Sequence, residues 1–381
     1  MFNKKFLFIG FNNVYVNPYC NMVLKTLGSL VDLEYFGPGY VSSAELEIGI
    51  EEWLSSRKPH DYIICDVNVV LKKYLSRVKG LFSMSVLKFD ENLYYKHVDE
   101  YYHFFRNSSL KKIIIANWDP YVISNDDINY ITSTNSYIID FFGLSLSKEY
   151  TSLKEKRFKL HTNYWVKFLK DFYNKTIVYP HAISNSDFEF SLLKGRRHVF
   201  SVVGVNYSER RESKKITSLE LKILDFKTRL RMLIWNKFKF EMNVERMNRY
   251  KSSYNKIISE SKFCYCSGSE LGYPVRKYFE IPARGTVPIG KKCNGFEHLG
   301  FKDNENFIVA ENIDELKKKL KFIDDDQAQK ISLNAYKNIW LNHSEWSRKE
   351  QMKEVFNLIF NENFEGSQWI NGKFKTFKND K

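Results

Sequence analysis

Cysteine is scarce in this chain: five residues in 381, at positions Cys20, Cys65, Cys264, Cys266 and Cys293. An odd number without paired metal-ligand spacing argues against both a disulfide framework and a zinc site, and for reduced thiols in a cytoplasmic setting. Cys264 and Cys266 flank Tyr265 in a strand-like run, so both should point to one face. Long apolar runs are missing as well. No stretch reaches the ~18 consecutive apolar residues that a spanning helix needs. The opening MFNKKFLFIGFNN breaks at Asn12. That is too short for a signal-peptide core and carries no small-residue cleavage site, so it reads as a buried first strand. Short-period repeats, low-complexity segments and Lys/Arg blocks are absent too.

What is present is a globular composition, with 43% hydrophobic and 16% aromatic residues, enough to build a sizeable core. At 381 residues the chain exceeds one ordinary core and suits two domains. Net charge is +14, from 59 basic and 45 acidic residues. Such an excess suits a polyanion: nucleic acid, an anionic membrane surface or a phosphorylated substrate. The basic residues are interspersed with acids, and no helix-turn-helix, zinc-finger or RNP-like signature accompanies them. No specific nucleic-acid partner is therefore expected.

Along the chain, apolar runs alternate with amphipathic ones. Strands are expected at 4–11, 31–36, 61–67, 111–119 and 135–143, with helices at 21–30, 44–56, 69–79 and 162–173. KTIVYPHAIS (175–184) leads to a polar stretch where the domain junction is placed. A second start follows at HVFSVVGVNYSERR (198–211), where a strand ends in Gly204. Helices at 215–230, 244–260, 274–283 and 313–322 then alternate with strands at 261–266, 286–290 and 306–310. Helices at 327–341 and 345–360 close the chain before a loose tail or strap. Alternation of this kind predicts parallel sheets covered on both faces, in two Rossmann-like halves. Ligands of open α/β sheets lie outside the carboxyl ends of the strands.

The richest stretch is SGSELGYPVRKYFEIPARGTVPIG, residues 267–290. Gly268 and Gly272 bracket a loop that must turn sharply or bring backbone close to something. Pro274 suits the first turn of a helix, and Gly285 suits its C′ position. The start of such a helix suits a phosphate. Arg276 and Glu280, four apart, share a face. They could be a mere surface ion pair worth ~0.3–0.5 kcal/mol, or a carboxylate that accepts two ribose hydroxyls.

The run Arg276-Lys-Tyr-Phe-Glu280-Ile-Pro-Ala283-Arg-Gly285 resembles the R-x-x-F-E-x-x-A-x-G core of spore-maturation CgeB-type glycosyltransferases. These belong to the GT-B enzymes with a group 1 C-terminal domain. HVFSVVG with Arg210 and Arg211 upstream, and NFIVAENIDELKKKLKFI downstream, follow the same order. The resemblance covers roughly residues 195–345, while the first half matches in architecture alone. It implies that Glu280 holds the donor ribose, that Gly285 and Thr286 line the diphosphate, and that Arg276 meets phosphate or sugar. Arg210 or Arg211, past Gly204, would steady the leaving diphosphate, where negative charge concentrates. Ser267 and Gly268 open the same stretch. Many relatives carry two glutamates eight positions apart. Here Glu270 and Glu280 are ten apart, which puts the role of Glu270 and any inference about retention or inversion in doubt.

Acceptor-side chemistry should fall at the strand ends of the first half. Asp119, in Trp118-Asp119-Pro120, is the preferred base for an acceptor hydroxyl, with a turn-capping role of equal standing; Asp66 shares the setting. Asn12 and Asn13 follow the first strand and could bind acceptor or serve turn chemistry. His181 could contact donor or make a structural hydrogen bond. Asp324-Asp325-Asp326 contains an Asp-x-Asp metal pattern but reads better as an acidic helix start, and no metal or other cofactor is expected.

The expectation is therefore an α/β protein of the GT-B fold, two Rossmann-like domains with a cleft between them. Residues 1–190 form the acceptor domain and 195–345 the donor domain. Residues 346–381 form a C-terminal helix and tail, whose return to the first domain is left open. The activity implied is a metal-independent, hexosyltransferase-like transfer from a nucleoside-diphosphate sugar to a saccharide or lipid-linked acceptor in cell-surface polysaccharide synthesis. The protein would be cytoplasmic, with peripheral contact to the inner face of an anionic membrane left open. A sugar-nucleotide epimerase on the same fold, or a non-catalytic binder of anionic glycan or nucleic acid, are the alternatives.

Overall fold

The computed structural model describes residues 1–12, 18–71, 91–116, 123–143, 145, 156–203, 212–218, 221, 244–269 and 272–379. The chain divides into two compact units. One comprises residues 1–180, 349–368 and 375–381; the other comprises 181–348 and 369–374.

In the first unit six strands run parallel: β1 (Lys5–Ile9), β2 (Asp32–Phe36), β3 (Tyr62–Asp66), β4 (Lys111–Ala116), β5 (Tyr137–Asp140) and β6 (Thr176–Val178). Their order is β2-β1-β3-β4-β5-β6. Every residue of β3 is buried, the continuous apolar pattern of a strand covered on both faces. Leu7, Ile63 and Ile114 of the sheet pack with Trp53, Phe105 and Trp165 of the flanking helices. Each fully buried side chain of this size contributes about 1.5–3 kcal/mol. Two helices start with capping boxes, Ser42 with Glu45 and Ser124 with Asp127, so their first turns leave few donors unpaired. The late helix Glu345–Phe360 puts Phe360 edge-on to Phe2 at 4.9 Å and Phe356 on Phe6 at 5.7 Å. At the carboxyl edge, Gly37 has φ +135° and an added Cβ would lie 1.8 Å from the Gly10 carbonyl oxygen, so only glycine fits between the ends of β1 and β2.

The second unit has four parallel strands, β7 (His198–Ser201), β8 (Ser261–Cys266), β9 (Val287–Gly290) and β10 (Ile308–Val309), in the order β10-β9-β8-β7. Phe200, Phe263, Val287, Ile289, Leu316 and Ile331 fill its core. A second aromatic layer joins Tyr278, Phe279, Phe301 and Phe307, with centroids 5.7–6.1 Å apart. Asn312 caps the helix Ile313–Phe322, and Asp324 caps Asp325–His343 by accepting from the Gln327 N–H at 2.7 Å. The acidic triplet is thus the helix start that its sequence suggests.

Two differences from the expected elements have physical causes. The tail is a two-stranded hairpin, β11 (Phe364–Ile370) and β12 (Lys373–Lys378). Its turn is Asn371-Gly372, with φ of 50° and 78°, the pair that two-residue hairpin loops favour. The helix expected over 274–283 begins only at Lys277, because the preceding residues close a turn of their own. Its end is as expected: Gly285 has φ +60°, and the Gly285 and Thr286 N–H groups bond the Pro282 and Ile281 carbonyls in a Schellman arrangement. The helices expected over 69–79 and 215–230 lie mostly outside the described residues. All five cysteines are buried and none is in a disulfide. Among the described residues no helix is long and apolar enough to cross a membrane.

Candidate functional site

The carboxyl edge of the second sheet is where β7, β8 and β9 hand over to loops, and where the richest sequence stretch begins. Ser267 follows β8 directly and is buried. The loop then folds on itself: the Ser269 N–H bonds the Tyr273 carbonyl at 2.9 Å and the Gly272 N–H bonds the Ser269 carbonyl at 2.9 Å. The Ser269 hydroxyl also accepts from the Tyr273 N–H at 3.0 Å. Gly268 and Gly272 approach so closely that a Cβ on Gly268 would meet Gly272 backbone at 3.0 Å. Gly268 permits that approach, whereas a Cβ on Gly272, at φ +74°, would meet the Asn294 side chain at 2.9 Å; this knot is why Pro274 stands ahead of the helix.

Helix Lys277–Ala283 then carries the charged groups. Glu280 is largely buried, with 15% of its side chain exposed, and Arg276 Nε lies 2.6 Å from its Oε1. That is an ion-pair distance, although the Nε–H is not aligned on the oxygen. Tyr254, from the helix Val244–Ser259, donates its hydroxyl to Glu280 Oε2 at 3.0 Å. A solvated i,i+4 pair would be worth little; this one is shielded and has a third member from another helix. Each carboxylate oxygen accepts more than one hydrogen bond, so Glu280 keeps acceptor capacity for hydroxyls of a ligand.

Sequence reasoning passed over two neighbours. Lys277 is buried and its ammonium donates to the Val203 carbonyl, just past the end of β7. Tyr254 gave no signal, because it lies twenty-six positions from Glu280. A charged residue adjacent to a motif arginine, on a helix whose other positions apart from Glu280 are buried, was the available clue for Lys277.

His181 lies against Phe279, with ring centroids 5.9 Å apart. It keeps some surface, yet protein atoms crowd the ring. Desolvation holds its pKa well below the ordinary value, helped by the positive charges of Arg276 and Arg348. Beneath it is a buried group: the Arg348 guanidinium reaches His343 Nδ1 at 2.8 Å and the Asn342 carbonyl at 2.9 Å. His343 Nε2 meets the Leu299 carbonyl at 2.9 Å, and its ring stacks on Trp369 at 4.5 Å. Because Arg348 only donates, Nδ1 must accept and the proton must sit on Nε2.

The structure thus brings Ser267, Gly268, Arg276, Glu280 and His181 into one region of the second unit. Gly285 and Thr286 are corrected. They stand at the amino end of β9, roughly 10–14 Å along the helix from Lys277 at 1.5 Å per residue. Thr286 is fully buried; its hydroxyl donates to the Ile258 carbonyl at 2.7 Å and accepts from Arg196 at 2.6 Å. Their polar groups hold the helix–strand turn and do not line the carboxyl edge. Burial pushes the Arg196 guanidinium down to about 10.

In the first unit, Asn12 donates its side-chain amide to the Gly39 carbonyl at 3.0 Å, which is turn chemistry at the carboxyl edge. Asp66 ends β3 fully buried, beside the Cys20 and Cys65 thiols. Asp140 ends β5 fully buried and accepts the Phe142 N–H at 3.1 Å and the Gly143 N–H. Burial pushes its pKa up to about 6, against the pull of those N–H groups and of Trp165. Asn13, Asp119, Gly204, Arg210, Arg211 and Glu270 lie outside the described residues.

Residues 191–354 match the family model described as glycosyl transferase-like. No curated protein matches the chain. Among solved structures, HepE of Anabaena in complex with UDP and glucose superposes with a TM-score of 0.50 at 9% identity, over 93% of this chain and 100% of that one. The same protein in complex with UDP-glucose gives 0.50 at 10%, over 93% and 100%. A glycosyltransferase of Rickettsia africae ESF-5 gives 0.45 at 12%, over 94% and 99%. The fold is mixed α/β with parallel sheets, of the GT-B glycosyltransferase type. The segment that carries Arg276 and Glu280 is the one the glycosyl transferase-like model covers.

Proposed function

We propose that the protein is a glycosyltransferase that moves a sugar from a nucleoside-diphosphate donor to a saccharide or lipid-linked acceptor, in the manner of a metal-independent hexosyltransferase. The observation that carries this reading is the Glu280 carboxylate, shielded and held by Arg276 at 2.6 Å and Tyr254 at 3.0 Å near the carboxyl edge of the second sheet. A carboxylate so oriented suits two ribose hydroxyls, and orientation ahead of binding lowers the entropy lost when a ligand docks. The likeness in fold to HepE, solved with UDP and UDP-glucose, makes UDP the first nucleotide to test.

In the reaction the acceptor hydroxyl oxygen bonds the anomeric carbon as the bond from that carbon to the diphosphate oxygen breaks. The hydroxyl proton passes to a base, for which Asp119 is the candidate, and the nucleoside diphosphate departs with the electron pair. A net charge of +14 suits phosphorylated ligands and an anionic membrane surface. We place the reaction at the cytoplasmic face, in polysaccharide synthesis.

The test is a melting-temperature screen against UDP, GDP, CMP, dTDP and their sugars, followed by Glu280→Ala. A nucleotide at ~100 times its dissociation constant stabilises by ~2.7 kcal/mol, an easily read shift. Wild-type donor affinity in the Ala variant would sink the assignment.

A further inference from the structure

We propose that the outer face of the helix Asp325–His343 is a docking surface for an anionic lipid membrane. The inference rests on the membrane setting proposed above and names the surface that meets it. Lys330, Leu333, Lys337 and Trp340 are exposed and spaced by three and four residues, so they share one face, roughly 15 Å long at 1.5 Å per residue. Leu341, beside Trp340, is 62% exposed. The chain from Phe188 to Leu193 runs along this helix. Phe188 lies edge-on to Trp340 at 4.8 Å, Phe190 meets Tyr336 at 5.1 Å, and the Leu193 N–H bonds Gln329 Oε1 at 2.8 Å. Phe190 and Leu192, both exposed, widen the apolar band. Contiguous exposed apolar surface of this kind marks an interaction site.

The charge on this face selects the partner. No acidic residue stands between Gln327 and Ser344, and among the described residues neither Lys330 nor Lys337 has an ion-pair partner. Carboxylates on the neighbouring segments are engaged. Glu189 pairs with Arg284 at 3.1 Å, and Glu305, whose carbonyl accepts from Asn334, pairs with Lys302 at 3.2 Å. Asp326 stands near the far end of the helix, roughly 21 Å from Trp340 at 1.5 Å per residue. The face therefore keeps its positive charge beside its apolar groups. Lysine is depleted in the cores of protein–protein interfaces. A lipid surface accepts both kinds of group, because tryptophan and the lysine stems rest at the hydrocarbon boundary while the ammonium groups reach lipid phosphates.

The test is sedimentation of the full chain with phosphatidylcholine vesicles, with and without phosphatidylglycerol. The wild type is expected to bind only the anionic vesicles, and less as salt rises. Lys330→Glu combined with Lys337→Glu should weaken that binding at least about 10-fold, and Leu341→Ser at least about threefold. If either variant binds as the wild type does, the proposal is overturned, and the membrane setting stands through another surface. Equal binding of the wild type to neutral vesicles overturns it too. Melting curves establish that each variant is folded; if Leu341→Ser does not fold, Leu341→Ala decides by the same criterion. A wild-type dimer that Leu341→Ser dissociates while vesicle binding persists gives the face to a second copy and likewise overturns the proposal. A wild type that binds UDP but no vesicle removes the membrane setting and this face together, and leaves the donor site standing.

Discussion

The hydroxyl of Tyr254 donates to Glu280 Oε2 at 3.0 Å, from a helix that ends before the strand leading to Glu280 begins. The carboxylate is thereby gripped from two elements. Tyr254→Phe removes one grip and leaves the ion pair with Arg276. We expect a loss of donor affinity of about 0.5–1.5 kcal/mol, the net worth of an ordinary hydrogen bond, and a larger loss in Glu280→Ala. Calorimetric titration with UDP checks both, and equal effects in the two variants would contradict the assignment.

Thr286→Val tests the corrected place of that residue. Its buried hydroxyl serves Ile258 and Arg196, so its removal leaves buried groups without a partner and should lower stability by about 1–3 kcal/mol. Nucleotide affinity should be unchanged. A selective loss of affinity with full stability would return Thr286 to the binding site.

His343 is held neutral by burial, and next by the positive charge of Arg348. Its folded pKa lies below the unfolded value, so the unfolded chain takes up the proton first. The stability it contributes is complete above the ordinary histidine range and is lost as pH falls below ~6.5. His181 acts in the same direction. Urea unfolding at pH 5 and pH 7 should show the loss, and His343→Gln should flatten it.

Asp140 has the opposite sign. Its pKa is pushed up to about 6 by burial, so the folded state holds a proton that the unfolded state has released. Its contribution is complete below ~4 and is lost as pH rises through about 6, by roughly 1–3 kcal/mol. Asp140→Asn should remove that slope in unfolding curves between pH 4 and 6.5, and an unchanged slope would contradict the burial account.

Gly37→Ala should cost more than an ordinary glycine substitution, about 2 kcal/mol or beyond. The added Cβ would overlap the Gly10 carbonyl oxygen at 1.8 Å, at a φ of +135°. Thermal unfolding measures this directly.

Much of the secondary structure was legible. The apolar runs FLFI, YIIC and IIIA read as buried strands because each is apolar on both faces, and they pair in one parallel sheet. The helix expected over 244–260 spans Val244–Ser259, and Gly285 ends its helix as its freedom at positive φ suggested. The hairpin at Asn371-Gly372 was equally written in the sequence, but the polar tail around it masked the signal. The start of the helix at Lys277 was not legible, since the Ser269–Tyr273 hydrogen bonds that delay it depend on how the loop closes.

What the sequence by itself determined is the set of local choices: which runs can be strands, which residues end helices, and that Arg276 and Glu280 share a face. These follow from periodicity and backbone preference over a few residues. Only the tertiary structure decided which end of the sheet each residue occupies. It put Thr286 at the amino end, buried Lys277 beneath the end of β7, and closed Tyr254 onto Glu280. Those outcomes depend on how strands far apart in sequence stack side by side, and spacing along the chain carries no record of it.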